Sequence, residues 1–261
     1  MCLIAWNWQP ASPTPLLLIA NRDEFYARPT APLAWWDNAG ILAGRDLQAG
    51  GTWLGISHSG RLAALTNFRD PAHMRADAPT RGALVTDFLM GNMAPADYLA
   101  GLLDHAASYN PFNLLVFDGS SLMGFESRHA KIVTMAPGLG AVSNADFSTP
   151  WPKLAKLKDG LSTLLAQAHP SDAQLLVLLH NAHVAPDASL PNTGIPLAFE
   201  RVLSSAFIAT PDYGTRACSI VRCQAGSIAF LEQGFDAHGP IGTQRLVATL
   251  SGPTAFQIHH L

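Results

Sequence analysis

Cys2-Leu3-Ile4-Ala5-Trp6-Asn7 and Leu16-Leu17-Leu18-Ile19-Ala20-Asn21, with Arg22-Asp23-Glu24 directly after, are the stretch on which the fold turns. Two short apolar runs flank Gln9-Pro10-Ala11-Ser12-Pro13-Thr14-Pro15, and this proline- and serine-rich spacer predicts an antiparallel β-hairpin. A turn centred near Ala11 and Ser12 places Cys2 opposite Asn21. The start of the chain then lies beside Arg22, Asp23 and Glu24, so a thiol, a guanidinium and two carboxylates meet at one end of a sheet.

Composition sets the frame for that cluster. The 261 residues are 48% hydrophobic and 13% charged, which predicts a sizeable core and argues against disorder. A net charge of −3, with no run of Lys or Arg, gives no basic field for nucleic acid. No apolar run approaches the roughly twenty residues of a membrane helix. Trp8, Gln9 and Pro10 interrupt the first apolar run too early for a secretory signal. Cys2, Cys218 and Cys223 are odd in number and widely spread, which argues for a reducing compartment, by default the cytoplasm.

Further along, Pro and Trp crowd residues 28–36, read as a connection, and Gly40–Arg45 reads as a short strand. Residues 52–57 and 61–67 form a second hairpin around His58-Ser59-Gly60. Helical spacing takes over between Arg81 and Ser108, with a break at 91–95, before strands return at 113–118, 121–126, 131–135 and 140–143. Helices are expected over Trp151–Ala168, Asp172–Asn181 and Pro196–Ser205, then a last hairpin over 216–223 and 227–233. No linker or repeat divides the chain, so 1–261 reads as one domain. Strands and helices in separate blocks predict an α+β fold of two stacked antiparallel sheets covered by helices on both sides.

Removal of Met1 would leave a thiol and a free α-amine on one residue, Cys2. A terminal amine titrates near neutrality, at about 7.7–8.0, and is a recognised activator of a side-chain nucleophile. Arg22 would favour the thiolate and Asp23 would orient the amine. Taken alone, Cys2 reads more readily as a small apolar strand residue. Asn67 and Asn144 each follow an apolar strand, where a neutral amide can stabilise an oxyanion or simply form a turn. Arg216 opens the last hairpin, and by itself is an ordinary surface arginine. His180 and His183 lack a third ligand, and Cys218 and Cys223 face opposite sides of one strand, so no metal site is expected.

Taken together, Met1-Cys2, Asn21-Arg22-Asp23-Glu24, Gly50–Gly55, Leu65–Asp70, Ser143-Asn144, Pro150–Lys153, Leu190–Gly194 and Tyr213–Arg216 resemble the NRDE family, also called the transport and Golgi organisation protein 2 family. Asn192 stands where the family pattern has Asp. The family is similar in turn to the N-terminal nucleophile (Ntn) cysteine hydrolases, whose fold is a four-layer αββα sandwich. The resemblance implies Cys2 as nucleophile, Arg22 as its neighbouring cation, Asp23 as amine partner, Asn67 and Asn144 as oxyanion positions, and Arg216 as a distal arginine. That hydrolase branch spaces its Arg and Asp apart, whereas Arg22 and Asp23 are adjacent. Asn21, Glu24, Trp53 and Phe68 flank these positions and are the expected substrate contacts. Hydrolysis of a non-peptide amide of a small molecule is the leading expectation, with no cofactor required. Family members are also linked to haem mobilisation and to lipid or acyl-CoA homeostasis, which makes haem a candidate ligand; Trp35, Trp36, Trp53 and His58 are the residues that favour it.

Overall fold

The computed structural model describes residues 2–37, 39–167, 169–251 and 255–260. Met1, whose removal the chemistry above requires, and Ala168, the expected end of a helix, lie outside the described residues. The first sheet contains β1 (Cys2–Trp8), β2 (Leu16–Phe25), β10 (Gly138–Val142), β11 (Tyr213–Gln224), β12 (Ser227–Asp236), β13 (Gly239–Ser251) and β14 (Ala255–His260). Its spatial order is β10-β1-β2-β11-β12-β13-β14, antiparallel throughout. The second sheet runs in chain order through β3 (Thr30–Trp35), β4 (Ile41–Asp46), β5 (Leu54–Ser57), β6 (Leu62–Asn67), β7 (Phe112–Phe117), β8 (Leu122–Glu126) and β9 (Lys131–Thr134).

Side-chain alternation explains why β1 and β2 are apolar on both faces. Ile4, Trp6, Leu16 and Leu18 point toward the second sheet and pack with Leu42, Leu54, Leu62 and Phe117. Leu3, Ala5, Leu17 and Ile19 point the other way, onto Leu154, Leu157 and Leu161 of α3 (Pro152–Gln167) and Leu175 of α4 (Asp172–Leu179). On the far side, Ile41, Ala43 and Leu114 meet Leu84, Val85 and Phe88 of α1 (Gly82–Met90) and Leu99 of α2 (Pro95–Leu102). The layers are therefore α, β, β, α. Each fully buried Leu, Ile or Phe contributes about 1.5–3 kcal/mol of transfer free energy. A short α5 (Leu197–Val202) lies outside this stack. Among the described residues no helix is long and apolar enough to cross a membrane.

Three elements differ from the sequence reading. The first hairpin pairs Cys2 with Arg22 and Leu3 with Asn21, one residue away from the expected Cys2–Asn21 pair. The loop is closed by Gln9 N donating to the Pro15 carbonyl at 2.8 Å, so Trp8 faces Leu16 and an odd number of residues forms the turn, centred on Ser12. The proline-rich connection becomes the edge strand β3. An edge tolerates Pro32 because its missing N–H need not face a neighbour, and the register shifts between Ala31 and Ala34. β13 and β14 extend the first sheet beyond the expected last hairpin, and β13 pairs along β12 from Ser227–Thr249 to Asp236–Gly239.

One glycine ties the hairpin end to β11. A Cβ on Gly214 would collide with the Tyr26 hydroxyl, the end of a half-buried side chain, and would lie 2.6 Å from the Ile208 carbonyl oxygen, which is backbone and cannot simply swing aside. Gly214→Ala is expected to lower stability by at least about 2 kcal/mol in urea denaturation. An unchanged midpoint would contradict this packing.

Candidate functional site

Register places the key pair. Cys2 and Arg22 are direct cross-strand partners on the face turned toward the second sheet, whereas Asn21 and Asp23 face the helical layer. The Cys2 carbonyl accepts a hydrogen bond from Ser143 Oγ at 3.3 Å, which holds the strand end against β10. The thiol is buried, and burial raises its pKa; Asp23 and Glu24 push in the same direction while Arg22 pulls back. At neutral pH the group is a thiol that needs a base, not a resident thiolate.

Beside this pair lies a cavity of about 520 Å³ at one end of the two sheets. Cys2, Arg22, Asp23, Glu24, Trp53, Asn67 and Arg216 all contribute to its wall. The Asp23 carboxylate is 1% exposed and accepts from Thr215 Oγ1 at 2.8 Å. A β-bulge between Thr215 and Ala217 makes that contact available by turning Thr215 to the Asp23 face while Ala217 pairs with Arg22. Arg216, the bulge residue, donates to the carbonyls of Phe25, Tyr26, Arg28 and Phe235 and to Thr30 Oγ1. It braces the loop after β2, and its charge remains at the cavity wall. Among the described residues the Asn67 side-chain amide makes no hydrogen bond, leaving it available to a ligand oxygen.

Three expected site residues are not at the cavity. Asn21 Nδ2 donates to the Leu179 and Ala206 carbonyls, both at 2.8 Å, and pins the end of α4 to the sheet, because the observed register turns it away from Cys2. Phe68 is half-buried beyond the end of β6 and is not among the lining residues. Asn144 is fully buried, and its Nδ2 donates to the Asn67 carbonyl at 2.9 Å. It acts on the cavity by holding Asn67.

Behind Asn144 stands a residue whose role the sequence reading missed. Lys153, in the first turn of α3, is 3% exposed and donates from Nζ to Asn144 Oδ1 at 3.2 Å. Burial lowers its pKa to about 8, although Asp23 and Cys2 favour its charged form. A cation in a helix's first turn opposes the macrodipole, and that was the available signal. Arg69 and Glu200 form a neighbouring buried ion pair at 2.5 Å, with Glu200 Oε1 accepting from the Thr193 amide and hydroxyl. The Thr193-Gly194 pattern thus serves as an anchor for the 190–194 loop.

Haem fits the site poorly. Among the described residues the cavity lining contains no histidine or methionine, and Cys2 is the one soft donor there, with a thiol pKa raised by burial. His58 stacks on Trp35 at 4.2 Å and is not a lining residue; Trp36 lies under Arg45. Among the described residues no three His, Cys, Asp or Glu side chains are placed to hold a metal ion.

Glu232 also lines the cavity. It accepts from the Leu33 amide at 2.8 Å, linking the two sheets, and burial pushes its pKa up to about 7. The folded chain retains a proton that the unfolded chain releases near pH 4.5, so stability falls as pH rises from about 4.5 to about 7. Glu232→Gln keeps an acceptor for Leu33 and removes the titration. We expect it to flatten that fall and to stabilise the chain by about 3 kcal/mol at pH 8, read from urea denaturation across pH.

The comparisons agree with the motif pattern. The family model described as Transport and Golgi organisation 2 matches residues 1–237. The Transport and Golgi organization protein 2 homolog of Bos taurus is 35% identical over 92% of this chain and 95% of its own length. The Homo sapiens homolog is 35% identical over 89% and 92%. Transport and Golgi organization protein 2 of Drosophila melanogaster is 31% identical over 92% and 95%. Among solved structures, a C2A mutant of conjugated bile acid hydrolase from Clostridium perfringens aligns at 11% identity and a TM-score of 0.46, covering 100% of this chain and 96% of that one. Family model and relatives together show that this chain belongs to the Transport and Golgi organisation 2 family.

Proposed function

We propose that the chain is an N-terminal cysteine amidohydrolase acting on a non-peptide amide. The observation that carries this reading is the placement of the Cys2 thiol in the cavity wall, in register with Arg22. Cys218 and Cys223 offer no alternative nucleophile: both are buried in the core and absent from the lining, with their pKa values raised by burial.

In this reading, removal of Met1 frees the Cys2 α-amine, which takes the thiol proton as sulfur attacks the amide carbonyl. Arg22 offsets negative charge on sulfur, and Asn67 donates to the developing oxyanion, its backbone held by Asn144 and, through it, Lys153. Collapse breaks the C–N bond, the ammonium returns its proton to the leaving amine, and an acyl-thioester remains on Cys2. Water then attacks the thioester, releasing the acid and restoring the thiol. The buried Asp23 carboxylate, adjacent to Arg22 and held by Thr215, orients the amine.

Two measurements check the reading. Intact-mass analysis of the purified chain is expected to show loss of Met1, and incubation with N-acyl amides a transient acyl adduct on Cys2. Cys2→Ala should lose activity by at least about a thousandfold. Equal turnover by Cys2→Ala and wild type would overturn the proposal, as would full activity in a chain that retains Met1.

A further inference from the structure

The charges around the cavity do not balance. Arg22, Arg28, Arg45, Arg81 and Arg216 line it, in a chain whose overall charge is −3. Against them stand Asp23, Glu24, Asp46 and Glu232. Asp46 is committed to Arg28 through contacts of 2.9 and 2.6 Å, and Glu24 reaches the same guanidinium at 4.0 Å. Asp23 is bonded to Thr215, faces the helical layer and feels the Lys153 ammonium. Glu232, with its pKa near 7, carries only part of a charge at neutrality. Arg22, Arg45, Arg81 and Arg216 therefore present positive charge with little carboxylate to answer it.

Their hydrogen-bonding capacity differs. Arg216 has spent its donors on backbone carbonyls and Thr30. Arg45 is exposed, stacks over Trp36 at 4.5 Å and donates from Nε to the Gly50 carbonyl. Among the described residues the Arg81 guanidinium donates only from Nη1, to the Pro111 carbonyl at 3.0 Å, and it is close enough to Cys2 and Glu24 to feel both. Arg22, whose backbone pairs with β1 and β11, makes no side-chain hydrogen bond among the described residues. A guanidinium offers five N–H groups in a fixed fork suited to carboxylate or phosphate. Two such forks with donors to spare flank the thiol.

We infer that the cavity takes an anionic ligand, an amide bearing a carboxylate or phosphate held by Arg81 and Arg22 within a few bonds of the carbon that Cys2 attacks. The amide part rests on the Cys2 reading above; the anionic part rests on the arginines alone. Charge complementarity of this kind weakens with salt, and a forked contact loses strength when Lys replaces Arg.

Calorimetry on the Cys2→Ala chain separates the two parts. The probes are N-octanoylglycine, N-octanoyl-O-phosphoethanolamine and the neutral N-octanoylglycinamide, the first two distinguishing carboxylate from phosphate. At least one anionic probe should bind about tenfold or more tighter than the neutral amide. Raising the salt should shrink that margin. Arg81→Gln in the same background should remove most of it, and Arg81→Lys only part. Equal binding of anionic and neutral amides, a margin indifferent to salt, or failure of both anionic probes to bind would overturn the inference whether or not the Arg81 variants fold. Anionic probes that bind Cys2→Ala but are not hydrolysed by wild type would leave the anion site standing and remove the hydrolytic reading. Wild-type turnover of the neutral amide at the same rate as both anionic ones would do the reverse.

Discussion

Pairing of Cys2 with Arg22 is the constraint on which the site depends, and it is set at the opposite end of the hairpin. Because Gln9 N closes onto the Pro15 carbonyl, Trp8 meets Leu16 and the ladder counts back from there to Cys2 and Arg22. A loop shorter or longer by one residue would turn all of β2 over. Arg22 would move to the helical face and Asn21 into the cavity, and the Leu17 and Ile19 face would lose its contact with α3 and α4. The apolar packing of both layers is thus the energetic guarantee of a polar pairing one strand's length away.

Behind that pair the structure holds an unusual amount of buried charge. Lys153, Asp23, Arg69 and Glu200 are all sequestered, and each is answered by a specific neighbour: Asn144, Thr215 or the facing ion. Removing one partner from such a set costs more than the pair contributes, because a desolvated charge is left behind. The cluster joins the end of β2, the start of α3, the 190–194 loop and α5. It couples several distant segments to the position of Asn67, which lines the cavity.

Much of the architecture was legible from residues 2–24. Alternation and turn chemistry disclosed the hairpin, and helical spacing disclosed the covering layers, because both are local signals. The hairpin register was missed by one residue since proline-rich loops can close around either parity. β3 hid behind Pro32, and β13 lay in a stretch where Gly239, Pro240 and Gly242 obscure its alternation. Within the site, Cys2, Arg22 and Asp23 were readable by adjacency to the hairpin end. The part played by Asn144 was not: a side chain that donates to ligand and one that donates to the backbone carbonyl of a distant strand end look alike in sequence. Lys153, Arg81 and Glu232 owe their properties to burial and to partners far along the chain, which no local pattern records.

The position of β11 bears on when the N-terminus can be processed. Cys2 is 5% exposed in the folded chain, and its companion strand β2 gains its second neighbour only from Tyr213–Gln224. During synthesis at about 5–20 residues per second, the β1–β2 hairpin therefore waits on the order of 10–40 s before β11 emerges to complete the sheet around it. Methionine excision, on which the proposed chemistry relies, has that interval in which to act on an accessible end. Under the proposed chemistry, a chain that folds before excision would carry its amine one residue too far upstream, and the order of two events on the ribosome would decide which molecules are competent.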